Sequence, residues 1–181
     1  QAGDLLAAEG WAVEETQPPE LERVTEIWAY LLTHDISEMM PALMELMSEG
    51  PIRSLNNLIA RYQPSTMPGL QVHTERNRLC RLWSEFFTDY PAMIGPTWCD
   101  LPFLHDADID EETGIDLVIN TLRFITPGNV LGLPSVALPM GVADGLPTGV
   151  QVYADRWRED ICLDTAEIIE GQRPPVWPPR G

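Results

Sequence analysis

PGNVLGLPSVALPMGVADGLPTGVQVYADRWREDICLDTAEIIE, residues 127–170, carries the clearest structural pattern in the chain. Asp144-Gly145 is a tight-turn dipeptide between two apolar runs, Val136–Met140 and Gly149–Ala154, and that arrangement predicts a hairpin. Gly128-Asn129 and Gly132 permit tight backbone ahead of it, and Pro134 sets the start of the first strand. Gly149 allows close packing beside Val150-Gln151-Val152. A helix is predicted over Glu159–Glu170, with Glu159-Asp160 in its first turn, where carboxylates meet the positive end of the helix dipole. Read as residues alone, the block is a hairpin followed by a helix.

Working outward, Ala2–Glu9 reads as a short helix stopped by Gly10, and Trp11–Glu15 as a short strand ended by Pro18-Pro19. Leu21, Val24, Ile27, Trp28, Leu31 and Leu32 recur at helical spacing within Glu20–Ser48, and Pro41 is expected to divide that stretch into two helices. Ile52–Tyr62 is a shorter helix and Gln63–Gly69 a loop. Leu70–Tyr90 is a strong helix, with Leu79, Leu82, Trp83 and Phe86 on one face. Pro91 closes it ahead of a buried strand over Ala92–Gly95. Pro96–Asp110 is irregular, and Gly114–Ile125 reads as one helix. The fold class is therefore α/β, with helices packed on a partial, mixed β-sheet. About four well-spread strands are thin for a self-sufficient sheet, so neighbouring strands are expected from elsewhere. One partial domain is expected over 1–181, with 171–181 as a proline-rich, extended tail.

Net charge is −17 and the pI near 4.3. Such a surface disfavours nucleic acid and anionic membranes. No apolar run approaches membrane-spanning length, and QAGDLLAAEGW has no basic signal-peptide region. It reads as mid-helix from its first residues, the expected look of a truncated or cleaved chain. Cys80, Cys99 and Cys162 are odd in number and widely spaced, which fits reduced thiols in a cytoplasmic protein. All eleven basic residues are arginine, so the chain contains no lysine.

Asn129, Gly132, Pro134 and Pro139, then Gly145, Leu146, Pro147, Gly149 and Gln151, then Glu159-Asp160 follow in one order and spacing. This succession resembles the closing segment of amidase-signature hydrolases. The resemblance extends upstream. Ala7–Glu15 with Pro18-Pro19 is similar to the helix–strand–proline segment behind that family's catalytic core. Tyr90–Trp98 is similar to the strand before its acyl-pocket loop, and Leu101–Asp108 to the loop itself. The whole chain aligns in order, with Gln63–Arg81 the least distinctive.

The resemblance implies the C-terminal part of the amidase-signature fold and hydrolysis of a carboxamide to a carboxylate and ammonia or an amine. It implies no metal and no organic cofactor. The family's chemistry runs on a serine, a second serine on a cis peptide bond, and a lysine. This chain has no lysine. Ser37, Ser48, Ser54, Ser65, Ser84 and Ser135 stand apart from one another and outside any glycine-rich loop. No catalytic residue is carried over, and the isolated chain is expected to be inactive. What carries over is pocket wall: Trp98, Cys99 and Phe103 from the acyl-pocket loop, and Thr126 and Asn129 from the segment ahead of the closing block. The aromatic pair leans toward an apolar or aromatic acyl group in a small-molecule amide. The implied partner is the N-terminal amidase part, or a second copy of the chain covering exposed strand edges. The alternative is an inactive binding module or truncated fragment of amidase ancestry.

Other patterns read as structure. Asp106, Asp108 and Asp110 have calcium-loop spacing, but Glu111 replaces the required glycine and Leu117 the bidentate glutamate. Nothing orients His105 toward Cys99. Met39, Met40, Met44 and Met47 lie at helical spacing and are expected in the core.

Overall fold

The computed structural model describes residues 1–172, so most of the expected tail lies outside the described residues. Helix α1 (Ala2–Ala8) closes on Gly10, whose φ of 90° only glycine adopts without strain. The amides of Gly10 and Trp11 return to the carbonyls of Ala7 and Leu6, which completes a glycine-type C-cap. The chain then runs without regular structure to α2 (Leu21–Leu46), α3 (Glu49–Arg61) and α4 (Gly69–Asp89). Strand β1 (Ala92–Pro96) follows, then α5 (Gly114–Leu122) and α6 (Thr126–Leu131). Strands β2 (Ser135–Ala143) and β3 (Leu146–Ala154) form the hairpin, and α7 (Glu159–Gly171) completes the described chain.

The sheet order is β1-β3-β2. Val152 pairs with Ile94 on one side and Val136 on the other. Val152, Tyr153 and Ala154 in the central β3 are all fully buried, the continuous apolar run of a strand covered on both faces. Helices pack in two layers. Val24 and Ile27 of α2, Val72, Leu79 and Trp83 of α4, and Val130 and Leu131 of α6 meet Met93 and Tyr153 on one face. Leu6 of α1 and Cys162 and Ile169 of α7 meet Val150, Val152 and Ala154 on the other. The first layer stops short of β2, whose Ser135, Ala137 and Pro139 are exposed.

Several expectations are corrected. The sheet is antiparallel throughout the described residues, not mixed. It has three strands among them, because Trp11–Glu15 pairs with no neighbour and lies exposed. Pro41 sits inside α2 instead of dividing it. The buried residues of α2 all precede that proline, and the turns around it face solvent, so the carbonyl it frees is not buried unpaired. Pro51 is tolerated in the first turn of α3, where its missing amide hydrogen has no helical partner to lose. The methionine run falls on the same solvent-facing turns, so Met39 and Met44 are exposed, not core. The single helix expected to end at Ile125 breaks at Arg123, and α6 follows from inside the closing block. Gly132, with a φ of 69°, caps α6. The hairpin turn is as expected: Asp144 and Gly145 both have positive φ, and Ala143 pairs with Leu146.

An ion network ties the start of α2 to α4. Arg78 donates to both Glu20 carboxylate oxygens, at 2.8 and 2.6 Å, and also to Glu75. Arg23 donates to Glu75 at 3.0 Å. Hydrogen bonding from Arg78, then Arg23, pulls the Glu75 carboxyl from its ordinary 4.5 down to about 2. A carboxyl depressed by folding stabilises the fold above its unfolded pKa and loses that contribution as pH falls toward its folded pKa. Glu75→Gln is therefore expected to cost about 1 kcal/mol at pH 7, limited by the solvent around Arg78. The deficit against the parent should shrink between pH 4.5 and about 2 as the parental carboxyl protonates. Urea melts at pH 7, 4 and 2.5 check this; a pH-independent deficit would assign the effect to packing.

Candidate functional site

A cleft of about 620 Å3 opens where the end of β1 meets the start of β3. Its volume falls within the roughly 300–1,000 Å3 usual for small-ligand sites. Pro96, Trp98, Cys99 and residues 100–103 form one wall, and Pro147, Thr148 and Gly149 the other. Antiparallel pairing creates this meeting point. Pro96 lies opposite Val150, and the ladder continues as the Thr97 amide donates to the Gly149 carbonyl at 3.1 Å. The chain then leaves the sheet, and the Cys99 amide donates to the Thr121 carbonyl at the end of α5 at 3.2 Å. Trp98 is thus held between a sheet anchor and a helix anchor.

The rings of Trp98 and Phe103 lie 5.9 Å apart, tilted by 41°. Gly149 is required by the packing, since a side chain there would start 2.5 Å from the Thr97 hydroxyl and 3.1 Å from the Leu138 carbonyl. Indole Nε1 of Trp98 and Oγ1 of Thr97 are buried with no hydrogen-bond partner among the described residues. The cleft lining includes no serine, lysine or histidine. It presents apolar wall with one carboxylate, Asp100, at its exposed rim.

Of the five residues nominated from sequence, Trp98, Cys99 and Phe103 line this cleft together. Thr126 lies elsewhere, fully buried at the first turn of α6. Its hydroxyl lies 2.9 Å from the Thr25 hydroxyl and donates to the Arg123 carbonyl at 3.1 Å. It ties α6 to α2. Asn129 is exposed on α6 and is not among the cleft-lining residues. The second wall, Pro147 to Gly149, was not foreseen as a wall, although those residues belong to the Gly-Leu-Pro-x-Gly-x-Gln pattern. Without the register of β1 on β3, nothing indicated that the turn-side end of the hairpin would face Trp98.

The remaining polar groups serve structure. The Asp110 carboxylate accepts hydrogen bonds from the Thr113 hydroxyl, the Thr113 amide and the Glu112 amide, which hold it below the ordinary range just ahead of α5. Burial raises the Cys162 thiol to about 11, and it donates to the Pro134 carbonyl at 3.4 Å. Such a thiol is an inert packing group. His34 is half-buried and bonds the Met67 carbonyl at 2.9 Å.

The family model described as Amidase matches residues 1–163. The chain belongs to the amidase family. An indoleacetamide hydrolase of Bradyrhizobium diazoefficiens is 33% identical over 175 residues, which is 95% of this amidase chain and 33% of that relative. A glutamyl-tRNA(Gln) amidotransferase component from Thermotoga maritima superposes with a TM-score of 0.69 at 23% identity, covering 96% of this chain and 37% of that one. A substrate complex of 6-aminohexanoate cyclic dimer hydrolase superposes with a TM-score of 0.65 at 23% identity, covering 94% and 39%. At those identities the two structures speak to fold alone. The amidase chain spans about a third of the length of the curated relatives it matches. Among its described residues no helix is long and apolar enough to cross a membrane.

Proposed function

We propose that this chain is the C-terminal part of an amidase-signature hydrolase, forming one partial domain. It supplies sheet strands and the wall that holds one substituent of a small amide. The nucleophilic serine, the bridging serine and the lysine come from polypeptide outside it. The reaction is attack of that serine on a carboxamide, loss of ammonia or an amine, and hydrolysis of the acyl-enzyme to a carboxylate. This chain's contribution is to desolvate and orient the substituent beside the reacting carbonyl. The observation that carries the reading is the cleft itself. It is apolar, bounded by the two segments that resemble the family's pocket loop and closing block, and lined by no serine, lysine or histidine. The aromatic pair Trp98 and Phe103 favours an aryl or compact apolar group, and the indoleacetamide hydrolase similarity makes indoleacetamide the first substrate to test. Unpaired Cys80, Cys99 and Cys162 support a cytoplasmic setting.

The test is native mass spectrometry of the protein from its source, followed by ammonia release from indoleacetamide. The expected result is an N-terminal amidase part that contains a lysine and a Gly/Ser-rich stretch, in the same polypeptide or in a companion one, with activity when it is present and none in the 20.3 kDa chain alone. Turnover by the chain alone would overturn this assignment. So would a chain that stays a monomer, melts in one sharp transition and leaves hydrophobic dyes unbound.

A further inference from the structure

A second depression of about 480 Å3 lies beside the cleft. Met47, Pro51 and Leu55, from the end of α2 and from α3, form its apolar side, and the loop after Phe103, with one histidine and two aspartates among its lining residues, forms the other. Phe103 lines both depressions. It is half-buried, whereas Pro102 and Leu104 on either side are exposed. Among these three, only Phe103 is turned inward. Its ring is braced on Trp98 at 5.9 Å.

We propose that Phe103 is the specificity-determining partition between the two depressions. It confines a compact aryl or apolar group to the cleft and closes the neighbouring groove to longer apolar arms. The proposal rests on the reading that the cleft holds an amide substituent. On this geometry the chain accepts arylacetamide-sized groups and rejects those carrying an extended chain, and removing the ring joins the two spaces. Met47, Pro51 and Leu55 then supply apolar contact for the extension.

The test measures binding of phenylacetamide and 6-phenylhexanamide to the purified full chain by calorimetry. Phe103→Ala is expected to raise affinity for the longer amide relative to the shorter by about tenfold or more, the effect of burying two or three further methylenes. Phe103→Leu retains most of the apolar volume, guards against loss of folding, and should shift the ratio in the same direction by less. Ser54→Trp, placed across the second depression in the Phe103→Ala background, should reverse the gain for the longer amide and leave the shorter one unchanged. An unchanged ratio in both Phe103 variants, with both amides bound, would overturn the partition while leaving the cleft reading intact. No binding of either amide, by the parent chain alone or by the chain assembled with the N-terminal amidase part, would overturn both.

Discussion

Trp83→Ala is expected to lower the unfolding free energy by about 4 kcal/mol, the middle of the range for removing a fully buried aromatic ring. Trp83 has no exposed surface. It lies in α4 against Phe86 and Phe87, with ring centroids 6.4 and 6.3 Å away. Its indole N–H donates to the Pro19 carbonyl at 2.8 Å, which fastens the irregular segment between α1 and α2. The substitution removes packing and that anchor together. Trp83→Phe keeps much of the volume and loses the hydrogen bond, so about 1–2 kcal/mol is expected. Urea unfolding followed by far-ultraviolet circular dichroism checks both. A natural domain has only about 5–15 kcal/mol in hand, so the alanine variant should be the first to lose its cooperative transition. A deficit below about 1 kcal/mol would contradict a filled site around this ring.

The second large effect is expected at Gly95. This residue lies in β1 opposite Gln151, and a Cβ there would overlap the Phe124 ring. That ring cannot easily yield. Phe124 is buried and packs edge-on against Tyr153 at 5.6 Å. The Tyr153 hydroxyl donates to the Phe124 carbonyl at 3.0 Å, and burial raises its pKa well above the ordinary phenol value. Gly95→Ala must therefore displace β1 or disrupt the ring pair, at about 3 kcal/mol, the upper part of the usual range for overpacking. The cause is checked by a double mutant. Phe124→Leu in the Gly95→Ala background should recover at least about 1 kcal/mol relative to the summed single effects, as expected for residues in contact. Strict additivity would place the strain elsewhere. Because β1 carries Pro96 into the cleft wall, the same substitution should also weaken binding of phenylacetamide.

The elements most legible in the sequence were those whose signal is local. The Asp144-Gly145 turn, the Gly10 cap and the buried stripe of α4 follow from backbone sterics and from 3.6-residue spacing. The turn and the cap fall where expected, while the α4 stripe keeps Leu79 and Trp83 but runs through Val72, Cys80 and Phe87, leaving Leu82 and Phe86 half-buried. The misjudged elements depended on surroundings. Trp11–Glu15 has strand composition, but a strand needs an adjacent ladder, and no described segment offers one. Pro41 has a breaker's chemistry, yet a proline on a solvent-facing turn leaves no carbonyl buried and unpaired. Met39 and Met44 share helical spacing with core residues, but spacing gives a common face and does not say what covers it.

The candidate site divides in the same way. Trp98, Cys99 and Phe103 are neighbours in sequence and remain neighbours in the cleft. Thr126 and Asn129 are also close in sequence, yet α6 turns one into a buried contact with Thr25 and the other toward solvent. By itself the sequence determined the amidase family, the absence of a lysine, and the aromatic character of one pocket wall, because these reside in residue identity and order. Only the tertiary structure decided that Pro147–Gly149 closes the cleft opposite Trp98 and that Phe103 borders a second depression. Those relations are distances between segments remote in the chain. They are set by the pairing of β1 with β3 and by the packing of α3 beside the loop, and no local pattern encodes either.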